Sequence, residues 1–468
     1  MATVAAGELS PNIDDETAFE RAPVPESKTK GLGSFLGLFA SEHVAATELL
    51  IGPLFVAAGV SAFDLLGGLL LGNILAVATW TLLTSPIAVK KRLTLYYQLE
   101  QIGGPSIIKV YNALTGLLWC GLGGAFIYVS ATALFVPFGI EQPKLHEWAP
   151  TSFGMAALVI ATGLVIVVVA ARGYDAMARF ANVASPWLAA MFLLFGVTAL
   201  VELGANSVSD LWPIANRVWD GTAAPGHTQF TFWHVVCFAW FGNMAWHFGM
   251  ADLTILRFAK KASYGLTSAA GMMLGHYLAW IAAGLLYAVQ LQHNPLDTGV
   301  APGPMAYRVA GPAGILLALV AGWATATPII YRAGMAFQAL LPGWSRLQLT
   351  VAAGGLACLV ATFPGVCNSF LSVAMLYGLI LMPMGAVIFA DFYFMERLGL
   401  EPAFAHRHSL AHHWPPLAAW AASVAFCALL WVAFGVQEFF LCLPGWLLAT
   451  AVYLACSAIA QKKRRAGQ

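Results

Sequence analysis

The sequence predicts an all-α membrane protein of twelve transmembrane helices, and three observations carry that prediction. The 468 residues are 60% hydrophobic and only 10% charged, with a mean hydropathy of +0.75, outside the range of water-soluble globular domains. Twelve apolar runs are each long enough, at about 20 residues, to cross a hydrocarbon core. The basic residues between those runs gather on one side. With both termini cytoplasmic, 20 of the 23 Lys and Arg residues fall on the inner side, and Lys144, Arg217 and Arg308 lie outside. An odd number of spans would destroy that alternation. The expected location is therefore a cytoplasmic membrane, with the lipid bilayer as solvent.

Residues 1–33 are polar, with Asp14, Asp15, Glu16, Pro23 and Pro25. They lack the apolar core of a signal peptide and read as a disordered cytoplasmic tail. The first helix falls near residues 35–62 and the second near 64–88, stopped by Lys90, Lys91 and Arg92 before a short amphipathic stretch to Gly104. Gly104 and Pro105 open the third, near 105–137, and helices four and five follow near 151–171 and 179–204. A polar loop over 205–229 leads to helix six, near 230–252. Helices seven to ten fall near 266–291, 311–341, 347–363 and 369–395. After a loop over 396–415 come two more, near 416–436 and 438–460, and a basic tail over 461–468.

Several functions are disfavoured by what lies between and within the runs. The bases form no patch for nucleic acid. The seven cysteines sit in apolar runs without CxxC spacing and read as small hydrophobes. His406, His408, His412 and His413 lack Cys or carboxylate companions at ligand spacing and read as a solvated loop, with no metal cofactor implied. No Ser/His/Asp, HExxH or paired-aspartate pattern crosses the spans, and no soluble signalling domain is appended, which disfavours an enzyme or a sensor.

The informative stretch is residues 233–261, WHVVCFAWFGNMAWHFGMADLTILRFAKK. Gly242, Asn243 and Gly249 weaken a helix where lipid penalises unpaired backbone, and such a break survives only where it lines a protein cavity. Trp240, Trp246 and His247 surround it, and Asp252 lies toward its basic inner end. A ring-lined gap in a membrane helix suggests a site for a flat solute. Gly52 and Pro53 interrupt helix one in a similar way, and Gly311 and Pro312 open helix eight as Gly104 and Pro105 open helix three. Two five-helix units of opposite orientation, residues 34–204 and 230–395, would make an inverted-repeat transporter core, with 416–460 peripheral. Chance placement among 45 glycines and 24 prolines is the alternative.

Residues 363–394, FPGVCNSFLSVAMLYGLILMPMGAVIFADFYF, resemble helices nine to ten of the nucleobase:cation symporter-1 family, which includes cytosine, purine, uracil, allantoin and hydantoin permeases. The match includes Asn368-x-Phe370-Leu371 and the closing Gly385-x5-Asp391-Phe392-Tyr393. ADLTILRFAKK on helix six is similar to that family's Asp-x-Thr followed by Arg-Phe, with Ala251 in place of a common proline. TPIIYRAGMAFQALLP on helix eight is similar to its Tyr-x-Ala-Gly run. The resemblance implies a LeuT-like fold, broken at helices one and six, that moves a heterocyclic base with a cation by alternating access. It places Trp119 where the family stacks an aromatic on the ring. A family glutamine is Gly123 here, and a family asparagine on helix eight is replaced around Ile329 and Ile330, so the cargo is the open question.

Glu48, just before Gly52, is the leading candidate residue, because a carboxylate in an apolar helix is protonated, paired or solvated by a cavity. It would bind substrate, carry the coupled proton, or pair for packing. Trp119, Trp240 and Trp246 would bracket a planar base, or simply pack. Asn243 would read a base edge or cap its broken helix, and His247 would bond substrate or bridge helices. His276 offers the same choice. Asp252 with Arg257 reads as a cytoplasmic gate or structural pair, and Glu42 and His43 lie nearer the inner surface. The coupling ion is sodium or a proton. For sodium, carbonyls near Ile51 and Gly52 would face Ala321, Ala324 and Thr325, although Ala324 removes one of two hydroxyls the family supplies. The resulting expectation is a monomeric symporter importing a nucleobase or related nitrogen heterocycle. The alternatives are a vitamin precursor or amino acid on the same fold, or a sensor. Glu48 would repel an amino acid's carboxylate.

Overall fold

Nine long apolar helices form the bulk of the chain in a computed structural model that describes residues 22–143 and 147–466. They are α3 (Ala62–Lys91), α5 (Pro105–Phe135), α6 (Phe153–Ala171), α7 (Tyr174–Glu202), α11 (Ala262–His293), α13 (Pro312–Leu340), α16 (Phe370–Tyr393), α18 (Pro415–Phe434) and α19 (Glu438–Ala466). A bent pair, α1 (Gly33–His43) and α2 (Glu48–Ala57), meets at 51° and makes a tenth span. Two shorter apolar helices, α9 (Phe232–Phe241) and α14 (Arg346–Ala361), lie where the sequence places spans six and nine. Short helices α4 (Leu95–Gly103), α8 (Leu211–Val218), α10 (Leu253–Leu256), α12 (Pro302–Ala310), α15 (Pro364–Asn368) and α17 (Phe404–Arg407) lie in the connections. Among the described residues there is no sheet, only two isolated bridges.

Helices three and eight of the sequence reading, α5 and α13, form the central antiparallel pair. Ser130 Oγ donates to the Leu319 carbonyl at 2.7 Å, while Gly123 faces Ile330 and Gly116 faces Phe337. The paired numbers run in opposite directions, as they must for helices entering from opposite sides. Both helices open on a glycine with positive φ, 84° at Gly104 and 55° at Gly311, followed by proline at the first helical position. Proline costs nothing there, because that N–H has no partner in a helix.

The break in helix one is not where its Gly-Pro pair suggests. Pro53 lies inside α2, and the chain unwinds over residues 44–47 instead. Losing one N–H to proline is tolerable in a helix held by its neighbours. At the actual break, His43 Nδ1 bonds the Phe39 carbonyl at 2.8 Å, and the His43 carbonyl lies against the bare backbone of Gly275 on α11. Tertiary packing therefore sets this break.

Helix six breaks as its composition demands. After α9, residues 242–252 run through turns to α10, with Met250 at φ 59°, a region costly for a residue with a side chain. This unwound backbone is braced by glycines on α16: a Cβ at Gly385 would overlap the Phe248 carbonyl, and one at Gly378 would meet Met244.

Of the expected disordered tail, residues 1–21 lie outside the described residues, as do Lys144 and residues 467–468 of the basic tail. Residues 22–33 pack on the body. Val24 is buried and its N–H donates to the Arg92 carbonyl at 3.0 Å, and Lys30 pairs with Asp175 at 2.8 Å. The expected polar loop over 205–229 contains the amphipathic helix α8, which buries Ile214 and Val218.

Candidate functional site

The two breaks meet across a cavity lined from α1 and α2 by Glu42, His43, Thr47, Glu48 and Ile51, and from the helix-six break by Gly242, Asn243 and Trp246. The opposite wall is His276 and Trp280 of α11, Thr325, Ile329 and Arg332 of α13, and apolar side chains of α5 and α16. The space measures about 60 Å³, small against the roughly 300–1,000 Å³ of open ligand pockets. The walls are drawn in around the site.

One end of the cavity is organised by Glu48, the first residue of α2, which is 4% exposed. The indole N–H of Trp280 donates to Glu48 Oε2. Among the described residues this is the one hydrogen bond of its carboxyl group, and no cation pairs with it. Trp280 is itself fixed by His276, stacked on it at 4.1 Å and 13°, and by Phe55 and Phe238 at 5.7 and 5.6 Å. Asn243 Nδ2 lies 3.2 Å from His276 Nε2. The residue at the broken point of helix six is thereby tied to the platform that holds Glu48.

The other end is an ion-pair cluster. Arg332 is fully buried, with Nη1 and Nη2 donating to Glu42 at 2.9 and 3.4 Å and Nη2 donating to Asp252 at 2.5 Å. Trp80 Nε1 donates to the other oxygen of Asp252 at 2.6 Å. One guanidinium thus joins α1, the helix-six break and α13, and its planar fork suits that task. Glu42, Asp252 and Glu48 set three carboxyl groups against one guanidinium.

Among the candidate binding residues, Glu48, Asn243 and Trp246 line the cavity. Trp119 lies behind Trp246 as its edge-on partner at 5.0 Å, and Tyr377 packs on Trp119 at 4.8 Å. Its role is to hold a ring in place, since it does not line the cavity wall. Trp240 points away, its indole N–H donating to Thr79 of α3 at 3.0 Å and its ring stacking on Phe241 at 4.5 Å. His247 also turns from the cavity, against Trp80 at 4.6 Å and Phe248 at 5.1 Å. A broken helix has no regular angular spacing, so these two neighbours of Asn243 could not be assigned a face from sequence.

The oxygens expected to hold sodium are displaced for the same reason that the break is. Ile51 lines the cavity, and Gly52 packs against Trp280 and Gly284 of α11 rather than facing α13. The helix-one oxygen that meets α13 belongs to Ser41: Thr325 Oγ1 lies 3.4 Å from its carbonyl and 3.0 Å from that of Ala321. Ala324 adds no side-chain oxygen. The hydrogen bonds of Thr325 bring two carbonyls and one hydroxyl together there, against the six or so oxygen ligands that hard cations take.

Arg332 and Trp280 organise the site without being among the candidates the sequence offers. Asp252, expected beside Arg257, and Glu42, expected nearer the inner surface, both accept hydrogen bonds from Arg332. An arginine inside an apolar span, together with acids in two other spans, was the available signal.

No family model matches the chain, and no curated protein matches it. Among solved structures, it is similar to Mhp1, a nucleobase-cation-symport-1 family transporter, in a closed conformation with bromovinylhydantoin bound. That likeness has a TM-score of 0.73 at 16% identity and covers 97% of this chain and 96% of the other. Inward-facing Mhp1 gives a TM-score of 0.66 at 16% identity over 94% and 93%. The substrate-bound outward-open state of a Na+-coupled sialic acid symporter gives 0.64 at 13% identity over 93% and 90%. The chain therefore has the LeuT-like fold of these secondary transporters, and identities this low speak to the fold alone.

Proposed function

We propose that this chain is a secondary transporter that imports a planar nitrogen heterocycle of the nucleobase class together with a cation. The observation that carries the reading is the cavity at the meeting of two broken helices, lined both by an aromatic ring, Trp246, and by a carboxyl group, Glu48, that no cation pairs with among the described residues. Half-helices supply oriented backbone at such a point, and rocking of one helix bundle against the other exposes it alternately to each side. Trp246 offers a face for stacking. Asn243 and Glu48 meet the edge of the ring.

The excess of carboxyl groups over guanidinium supports a proton as the driving cation, since buried negative charge in low dielectric takes up a proton or a counter-ion. The thin oxygen set around Thr325 supports the same choice over sodium. The Glu42–Arg332–Asp252 cluster ties the broken helices to α13 and would have to loosen when the inner side opens. Both termini lie in the cytoplasm on this reading, by the distribution of Lys and Arg.

Uptake of labelled cytosine, adenine, uracil and hydantoin into cells or proteoliposomes tests the proposal. Accumulation of at least one, abolished by a protonophore and insensitive to replacing sodium with choline, is the expected result. No uptake and no binding across the panel overturns the cargo class, and collapse in choline at fixed pH restores sodium.

A further inference from the structure

We infer that the cargo presents an amidine edge, a ring nitrogen flanked by an exocyclic amine as in aminopyrimidines and aminopurines, and that Glu48 grips that edge. The inference rests on the transport reading above and narrows its substrate class.

Most strong donors around the cavity are already engaged, although Arg332 Nε and His276 Nδ1 have no partner among the described residues. Arg332 spends both terminal nitrogens on Glu42 and Asp252, Trp280 gives its N–H to Glu48, and Asn243 directs its amide nitrogen at His276. At Glu48 itself what remains toward the cavity is acceptor capacity, Oε1 and the second lone pair of Oε2, with the amide oxygen of Asn243 also on the wall; the indole N–H of Trp246 and the hydroxyl of Thr47 line the same cavity. A carboxyl group held by a single donor selects a ring edge that brings donors to it.

Imide rings such as uracil and hydantoin offer a different pattern. Each carries two N–H groups, but neither has another donor beside it: the imide N–H stands between two carbonyl oxygens and the other N–H beside one, so no edge meets both Glu48 oxygens with two adjacent polar hydrogen bonds. An aminated ring meets both Glu48 oxygens at once. The exocyclic N–H donates to one oxygen, and a single proton lies between the other oxygen and the ring nitrogen. That proton belongs to Glu48 when the ring is neutral and to the ring when it is protonated. The two hydrogen bonds are the same in either case, no other group is consumed, and the proton is the one this carboxyl group already requires in a site without a second cation. The carboxyl plane is set in advance, because Trp280 anchors Oε2 and is clamped between His276, Phe55 and Phe238. Preorganisation of this kind turns hydrogen-bond pattern into discrimination.

The test is equilibrium binding to the purified full-length protein, with cytosine, adenine and 4-aminopyrimidine set against uracil and hydantoin. At least one aminated ring should bind on the order of tenfold or more tightly than either imide. Glu48→Gln should weaken aminated rings by roughly ten- to a hundredfold, the loss expected for a charge-assisted hydrogen bond, and should erase the preference. Trp280→Phe keeps the carboxyl group, frees its orientation and should weaken binding several-fold, so the inference stays testable should Glu48→Gln fail to fold. Imides binding as tightly as aminated rings to the wild type, or a preference that survives in Glu48→Gln, overturns the amidine assignment while leaving the transporter reading intact. Failure of every base in both classes overturns the nucleobase cargo class proposed above and this assignment with it.

Discussion

Replacing Arg332 by glutamine tests whether the ion-pair cluster holds the two broken helices to α13. Arg332 is fully buried and makes three hydrogen bonds to carboxylates, two to Glu42 and one to Asp252. Removing the cation from a buried pair leaves uncompensated charge and costs about 3–5 kcal/mol. Summing three charge-assisted bonds would exceed that and would count the same desolvation repeatedly. At the roughly 2 cal/mol/K per residue of unfolding entropy known for soluble proteins, this cost lowers the apparent Tm by about 3–5 °C. That figure is a lower bound, because membrane helices stay largely helical on denaturation and the entropy is smaller. The assay is thermal unfolding in detergent at a fixed scan rate, since unfolding of such proteins is commonly irreversible. The triple variant Arg332→Gln, Glu42→Gln, Asp252→Asn keeps acceptors for Trp80 and removes the orphaned charges, so it should recover most of the loss. A single variant as stable as wild type, or a triple variant no better than the single, would refute the assignment of this cluster as a mutual charge clamp.

Four further outcomes follow from the same geometry. Trp246→Ala should weaken ligand binding roughly ten- to a hundredfold, the usual range for an aromatic on which a base stacks, whereas Trp240→Phe, which loses only a bond to Thr79 on α3, should stay within about threefold. Gly385→Ala drives a methyl into the Phe248 carbonyl; overpacking of this kind costs about 1–3 kcal/mol and should appear as lost yield or a lower Tm with no change at the cavity wall. Thr325→Val removes the hydroxyl between Ser41 and Ala321 and should leave proton-driven uptake within about twofold; selective loss of sodium-dependent uptake would argue for an ion there. In the loop after α16, hydrogen bonds from His408 and then Arg465 hold the Glu401 carboxylate below its ordinary value of 4.5. Its stabilising contribution is present above that value and is lost as the pH falls through the lower folded pKa, so Glu401→Gln should flatten the acid limb of a Tm against pH curve, by a small amount because the pair is exposed.

The many-span all-α architecture and the break in helix six were legible in the sequence for physical reasons that act locally. Apolar length and the loss of helix propensity at Gly242 and Gly249 need no knowledge of neighbours. The break in helix one was misplaced because its cause is not local: Pro53 is a strong punctuator in sequence, yet α2 runs through it, while the chain unwinds beside Gly275, more than two hundred residues away. The helix-one half of the sodium-site expectation inherited that error, since a shift of the break from residues 52–53 to 44–47 replaces the oxygens of Ile51 and Gly52 by that of Ser41, while Thr325 and Ala321 stand where expected. Arg332, Glu42 and Asp252 were each visible as charges in apolar runs, but their separation by as many as 290 residues hid the fact that they form one object. That object also changes the meaning of Glu48. A lone buried carboxylate suggests packing as readily as function. With both terminal nitrogens of Arg332 taken by two other acids, Glu48 pairs with no cation among the described residues, and a group whose neutralising charge is not supplied by those residues is placed to bind whatever brings it.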